Sequence, residues 1–305
     1  MIYDVLIVGG GPAGVTAAIY AKRAGRNVAI VEKFVVGGQL NLIGEIENFT
    51  GFGKVEGPEL ALSIKSHAKS LDIPFVKDEI LDAKLDGEVK VLKGKKTTYS
   101  AISVIFALGC YTRELGIEGE EKFKGRGVSY CAICDGGFFK DKTVAVVGSG
   151  DSAFSDANYL APLCKHVYIL TKAQTKLHNY AENEFEGREN VTILKGALSQ
   201  EILGENSVKA LTYIKDEKQE TLDVDGVFVA IGRRPDTAFL QGKIELAPNG
   251  YIKANSKMQT SQEGVYVCGD VREDNIKQIA TALGDGAIAG TEASKYVLRQ
   301  RFMKK

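Results

Sequence analysis

The run Tyr3-Asp-Val-Leu-Ile-Val8 passes directly into Gly9-Gly-Gly-Pro-Ala-Gly14, and this junction decides the architecture of the chain. A short apolar run with no alternation reads as a parallel strand buried on both faces. Small and apolar residues at helical spacing follow from Val15 to Ala24, with Gly25 placed to end the helix. Val28-Ala-Ile-Val31 is a second strand, and Glu32 stands at its end. Gly9, Gly11 and Gly14 form a G-x-G-x-x-G turn, and Pro12 and Ala13 lie inside it. Gly9 makes the turn, Gly11 admits a pyrophosphate close to the backbone, and Gly14 lets helix and strand pack. The phosphates are expected at the helix N-terminus and a ribose hydroxyl on Glu32.

The same syntax returns further along. Lys142-Thr-Val-Ala-Val-Val147 reads as a strand, Gly148-Ser-Gly-Asp-Ser-Ala153 as a turn, and the following residues as a helix to Leu163. Val167-Tyr-Ile-Leu170 is the next strand. Gly148, Gly150, Asp151, Ser152 and Ala153 are therefore candidates for a second nucleotide, with Lys172 just beyond the strand. Ala101–Ala107, ended by Gly109, is echoed by Gly226–Gly232. Between these, Pro58–Leu71 reads as a helix and Val76–Thr98 as a small antiparallel excursion around Asp86-Gly87 and Lys93-Gly94. Val191–Val224 reads as strands and turns, Val265–Asp270 as a last strand and turn, and Ile279–Arg299 as a small-residue helix. The fold class is α/β: two Rossmann-like, three-layer ββα nucleotide-binding domains, the second inserted into the first. The C-terminal segment completes the first.

Between the two units lies Ser129-Tyr-Cys-Ala-Ile-Cys-Asp-Gly-Gly137. Cys131 and Cys134 are spaced to close into a disulfide and to pass electrons outward from a redox cofactor. Asp135 beside them is a candidate acid/base, or a cap for the following turn. A zinc half-site needs a second pair or well-placed histidines, and Cys110, Cys164, Cys268, His67, His166 and His178 are scattered. The three single cysteines read as small buried hydrophobes.

Composition narrows the class. The 305 residues suggest two domains, and the formal net charge of zero gives no footing for nucleic acid or an anionic membrane. Ile2–Gly10 runs straight into a strand and turn, so no cleavable leader is expected. No apolar run reaches the ~18 residues that a membrane span requires. One close pair among 5 cysteines suits a cytoplasmic protein with a redox-active dithiol.

Taken together, Gly9–Gly14, Gly37-Gly-Gln-Leu40, Cys131-Ala-Ile-Cys-Asp-Gly136, Gly148–Ala153, Cys268-Gly-Asp270 and Ala282–Ala289 resemble the low-molecular-weight bacterial thioredoxin reductases, in one order along the whole chain. The resemblance implies a cytosolic homodimer that reduces thioredoxin. Its FAD-binding domain would be split, 1–114 and 241–305, around a pyridine-nucleotide-type domain, 115–240, that carries Cys131/Cys134. FAD would meet Gly9, Gly11, Pro12, Ala13, Gly14, Glu32 and Lys33 at its adenosine and phosphates. Gly38, Gln39, Leu40 and Asn48 would lie along the flavin, and Gly269, Asp270, Lys277, Gln278 and Ile279 would close over it. Cys134 would be the thiol beside the flavin and Cys131 the one that attacks thioredoxin. Segments 115–119 and 236–240 would be hinges for rotation of the inserted domain.

The chain departs from that family at the nucleotide site. NADPH-using members follow the second strand with a cluster of arginines that clamps the 2′-phosphate; here the segment is Thr171-Lys-Ala-Gln-Thr-Lys-Leu177. Lysines supply charge without forked geometry, and Lys172 and Lys176 also read as solvated surface. The usual pair of acids on the helix is Ser155-Asp156, and the Ala-Thr-Gly turn is Ala107-Leu-Gly109. The donor expectation is therefore weak use of NADPH with little preference over NADH, with reduced ferredoxin as an alternative. A non-catalytic flavin- or nucleotide-dependent redox sensor is the alternative of another class.

Overall fold

The computed structural model describes residues 1–172, 185, 187–274 and 276–303. The chain divides into two compact units, Met1–Tyr111 with Arg234–Lys305, and Thr112–Arg233.

The first unit is built on a seven-stranded sheet. Ile2–Val8 lies between Val28–Glu32 and Thr98–Phe106, parallel to both. Phe75–Lys77 extends the sheet beyond Val28–Glu32, and Val265–Val267 adds a parallel strand against Thr98–Phe106. Lys90–Gly94 and Ile80–Lys84 continue it as antiparallel strands. The expected excursion thus starts later than Val76, because Phe75 and Val76 pair with Ile30 and Val31 in the parallel sheet.

Helices Pro12–Arg23 and Ile279–Phe302 cover one face. Their small residues bring the backbones together: a methyl group on Gly286 would lie 2.3 Å from the Ala13 carbonyl oxygen, and one on Gly290 2.3 Å from that of Ala17. The other face is packed by Leu240, Ile244, Ile252 and Val271 from the C-terminal portion. The C-terminal helix continues past the expected Arg299 to Phe302.

The second unit has a five-stranded parallel sheet in the order Val128–Ser129, Gly226–Val229, Thr143–Val147, His166–Thr171, Val191–Lys195. Helix Asp151–Leu160 packs on one face, with Phe154, Ala157 and Leu160 against Val144, Val146 and Ile169. A three-stranded antiparallel sheet, Leu198–Gly204, Val208–Lys215 and Lys218–Asp223, covers the other. This is a three-layer ββα arrangement. The helix stops at Leu160 rather than Leu163, where residues 161–163 form a turn that ends in the Leu163 amide bond to the Leu160 carbonyl.

The unit boundaries fall after Tyr111 and after Arg233, earlier than the expected 114 and 240. Local packing accounts for both positions. Residues 234–240 belong to the first unit because Leu240 is buried in its core and Phe239 packs edge-on against Phe106. Leu115 and Ile117 pack in the core of the second unit.

Candidate active site

In the first unit, Gly9 has φ +109°, and a Cβ there would lie 2.2 Å from the Ala107 carbonyl oxygen. A Cβ on Gly14 would lie 2.0 Å from the Gly9 carbonyl oxygen. These two glycines are required for the turn itself. Gly11 is different: a Cβ there meets nothing within 4 Å. The helix that follows begins at Pro12 and has no side chain capping its first amides, so its N-terminus opens onto that space. The Glu32 carboxylate accepts the Gly10 amide at 2.6 Å and the Phe34 amide at 2.7 Å, which fixes it at the strand end. Open space over Gly11, uncapped helical amides and a fixed carboxylate together fit a dinucleotide such as FAD.

The segments expected along the flavin are joined in this unit. Leu40 is buried in a small cluster that also takes in Ile279. Asn48 Nδ2 donates to Gln278 Oε1 at 3.0 Å, and Gln278 with Thr281 forms the capping box of the C-terminal helix. Gly38 has φ +55°, and a Cβ there would lie 3.3 Å from Gly11 Cα, beside rather than within the open space that Gly11 faces. Gln39 Nε2 donates to the Cys110 carbonyl at 2.6 Å. Lys277 Nζ donates to the Arg272 carbonyl at 2.7 Å and sits 4.6 Å from the centre of the Tyr251 ring. Asp270 follows Gly269, which has φ +75° and a close approach to Ala13. Lys33 is committed locally: its Nζ bonds to Asp236 at 2.6 Å and lies over the Phe34 and Tyr111 rings.

Asp285, within Ala282–Ala289, has a place in the site that the sequence pattern alone does not assign. Its Oδ2 accepts the Gly269 amide at 3.2 Å and Arg272 Nε at 3.0 Å. The buried carboxylate thus ties the turn before Asp270 to the C-terminal helix. The sequence signal was an acid at an inward-facing helix position.

In the second unit, Cys131 and Cys134 are joined by a disulfide, with Cα atoms 5.3 Å apart. Cys131 is the N-cap of a one-turn helix, Ala132–Asp135, and its Sγ accepts the Cys134 amide at 3.2 Å. Cys134 is exposed and Cys131 half-buried. Ser129 Oγ accepts the Cys131 amide at 3.1 Å and donates to Asp135 Oδ2 at 2.6 Å. Burial raises the Asp135 carboxyl above its ordinary value, and the Ser129 hydrogen bond opposes that only in part.

The segment is also anchored from below. Tyr130 donates its hydroxyl to Glu120 Oε1 at 2.9 Å, and the buried Glu120 carboxylate also accepts the Leu115 and Gly116 amides. Arg233 Nη2 donates to the Tyr130 carbonyl at 3.3 Å. Ser129, Glu120 and Arg233 were not assigned roles from sequence. Only Ser129 offered a cue, as a hydroxyl two residues before the first cysteine.

The second glycine turn is intact as backbone. A Cβ on Gly148 would lie 2.3 Å from the Ala230 carbonyl oxygen, whereas Gly150 faces open space. Ala153 is buried, and Asp151 and Ser152 are exposed at the start of the helix. Lys172 is exposed. Lys176 and the rest of the segment 173–177 lie outside the described residues. Cys110, Cys164 and Cys268 are buried and take no part in the disulfide; burial pushes the Cys164 thiol up to about 11.

Residues 3–286 match the family described as pyridine nucleotide-disulphide oxidoreductase. The chain is 40% identical to a thioredoxin reductase of Listeria innocua, over 97% of this chain and 94% of the other. The crystal structure of thioredoxin reductase from Streptococcus pyogenes superposes with a TM-score of 0.92 at 35% identity, covering 98% of this chain and 99% of that one. A ferredoxin-flavin thioredoxin reductase from Clostridium acetobutylicum has a TM-score of 0.54 at 31% identity, covering 97% and 98%. With two glycine turns, a bonded Cys-x-x-Cys and likeness along almost its whole length, the chain belongs to the pyridine nucleotide-disulphide oxidoreductase family and, within it, to the thioredoxin reductases.

Proposed function

We propose that this chain is a flavoprotein that reduces the disulfide of thioredoxin, with Cys131 and Cys134 as the exchanging pair. The observation that carries the reading is the bonded Cys131–Cys134 pair beside a half-buried, hydroxyl-held Asp135. FAD, held by Gly9–Gly14 and Glu32, would supply a carrier that takes two electrons from the donor and passes them to the Cys131–Cys134 disulfide, which opens to the dithiol. Gly38, Gln39, Leu40, Asn48, Gly269, Asp270, Lys277, Gln278 and Ile279 are the residues proposed to line it.

The chain's own residues then govern exchange. The Cys134 amide aimed at Cys131 Sγ favours the anionic sulfur there. Cys131 attacks one sulfur of the acceptor disulfide; that bond breaks, and the leaving sulfur takes a proton. Cys134 as thiolate then attacks Cys131 Sγ, which re-forms the Cys131–Cys134 bond and releases the second acceptor sulfur, again with a proton. Asp135 is proposed to carry one of these protons at its carboxyl, because burial keeps that group protonated to higher pH than an ordinary aspartate.

The donor is proposed to be NADPH or NADH at Gly148, Gly150, Asp151, Ser152, Ala153 and Lys172. Reduced ferredoxin is the second reading, favoured by the 31% identity to a ferredoxin-flavin thioredoxin reductase. A cytoplasmic homodimer is proposed from the family. No helix among the described residues is long and apolar enough to cross a membrane. The test is steady-state reduction of thioredoxin with NADPH, NADH and reduced ferredoxin in parallel. Turnover with any of them supports the reductase. A yellow protein that turns over with none is a sensor and refutes it. Strong rejection of NADH together with micromolar affinity for NADPH overturns the expectation of weak discrimination.

A further inference from the structure

Ser129 closes the short strand Val128–Ser129, is buried, and stands opposite Phe228 in the parallel sheet. The strand therefore fixes where its hydroxyl lies. Three groups meet that hydroxyl. It accepts the Cys131 amide at 3.1 Å, stands 2.6 Å from Asp135 Oδ2, and lies 3.4 Å from the Cys131 carbonyl oxygen.

A hydroxyl has one proton to give. Beside the charged carboxylate that proton goes to Asp135 Oδ2, the nearer acceptor, and a bond to a charged acceptor is the stronger kind. Once Oδ2 takes up a proton, the carboxyl donates across the same gap and the Ser129 proton must turn elsewhere. The Cys131 carbonyl is the acceptor it meets, and that oxygen already takes the Cys134 amide at 3.2 Å and the Asp135 amide at 3.1 Å. The hydroxyl is thus well partnered in one protonation state of Asp135 and poorly in the other.

We infer that Ser129 is the positioning residue that sets how readily Asp135 gives up its proton, by turning its hydroxyl between the Asp135 carboxylate and the Cys131 carbonyl. The use of this in thioredoxin reduction rests on the proposed proton role of Asp135. When Asp135 passes its proton to a leaving sulfur, thiolate becomes thiol, carboxyl becomes carboxylate, and the Ser129 hydroxyl swings back to Oδ2 with its own proton kept. Helix Asp151–Leu160 packs against the one-turn helix and carries Asp151, Asp156 and Tyr159; Gly136–Phe139 and Gly226–Val229 carry no titratable side chain. The acidity of Asp135 is moved by burial, which raises it, and by Ser129, which lowers it, rather than by those charges.

The experiment follows Asp135 by carbon-13 NMR of flavin-loaded protein in the disulfide form, labelled at the aspartate carboxyls. The Asp135 signal is assigned by its absence from Asp135→Asn. Ser129→Ala is expected to move the Asp135 midpoint up by about one pH unit, since the charged form loses the stronger bond. Ser129→Thr keeps a hydroxyl and is expected to keep the wild-type midpoint. In wild type the Cys131 amide, which donates to Ser129 Oγ, is expected to titrate at the Asp135 midpoint. Circular dichroism, bound flavin and a thiol count check each variant. A folded Ser129→Ala protein with the wild-type midpoint overturns the inference, as does a folded Ser129→Thr protein that shifts as far as Ser129→Ala. A wild-type Cys131 amide that does not move through the Asp135 midpoint overturns it without any variant. None of these titrations needs turnover. The falling limb of the thioredoxin-reduction profile should move up with the midpoint in Ser129→Ala. If the midpoints behave as expected while Asp135→Asn keeps the wild-type rate and pH profile, the hold of Ser129 on Asp135 stands and the proton role of Asp135 falls.

Discussion

Replacing Asp156 with asparagine tests the electrostatics of the second unit. Asp156 lies in helix Asp151–Leu160 and is half-buried. Burial pushes its carboxyl from 3.8 up to about 6, with the Arg233 guanidinium opposing the rise. A folded value above the unfolded one means that the native state holds the proton longer. The contribution to stability is full below pH 3.8 and is lost as the pH climbs through about 6. A rise of roughly two units corresponds to about 3 kcal/mol, and partial exposure reduces this to about 1–3 kcal/mol. Asparagine does not ionise, so Asp156→Asn escapes that loss. The assay is urea unfolding of wild type and variant across a pH series, followed by circular dichroism. The stability of the variant relative to wild type should rise between pH 4 and pH 7 by about 1–3 kcal/mol and then level off. A difference that stays constant with pH, or that falls as the pH rises, refutes the reasoning.

Gly11→Val is expected to fold and to purify colourless, because the side chain fills the open space over the helix N-terminus; flavin absorbance checks this. Gly14→Ala is expected to destabilise the fold by about 1–3 kcal/mol, since its methyl group meets the Gly9 carbonyl; thermal unfolding checks it. Either Cys131→Ser or Cys134→Ser should abolish thioredoxin reduction while flavin stays bound, and substantial turnover in the double variant rules out the dithiol. Wild-type turnover should decline as the pH rises through the raised Asp135 value, because the proton-bearing form is lost above it; the pH profile of Asp135→Asn should lack that decline. Asp285→Asn breaks a largely buried ion pair and should cost about 3 kcal/mol in thermal unfolding.

The glycine turns were legible because their chemistry is local. Gly9 and Gly14 have no room for a side chain, and a sequence reader meets that constraint directly as spacing. Strand ends beside them were legible for the same reason, since Val8 and Val147 end apolar runs. The Val76 region was misplaced because strand direction depends on the partner, here Ile30 and Val31, which is far away in sequence. The tie between Asp285, Gly269 and Arg272 was hidden for a similar reason: a buried carboxylate in a helix reads like any acid until the turn it holds is placed beside it. Glu120 likewise looks like one of many surface acids, yet it is buried and gathers the Leu115 and Gly116 amides and the Tyr130 hydroxyl. Ser129 was in view, but its link to Asp135 needs the strand to place the hydroxyl beside the one-turn helix.

The split of the first unit also sets an order of events at the ribosome. Thr112–Arg233 leaves the exit tunnel as one unbroken piece and has every strand of its sheet available. The dinucleotide turn at Gly9–Gly14 is made earlier, yet the helix behind it lacks Gly286 and Gly290 until the last segment emerges. Elongation runs at roughly 5–20 residues per second, so synthesis from Arg234 onward takes on the order of 4–15 s. For that interval the inserted unit is free to fold while the inner side of helix Pro12–Arg23 stays uncovered. Capture of the dinucleotide by the first unit is thus a late step of biogenesis, and scarcity of the flavin during synthesis falls on the part of the chain that was translated first.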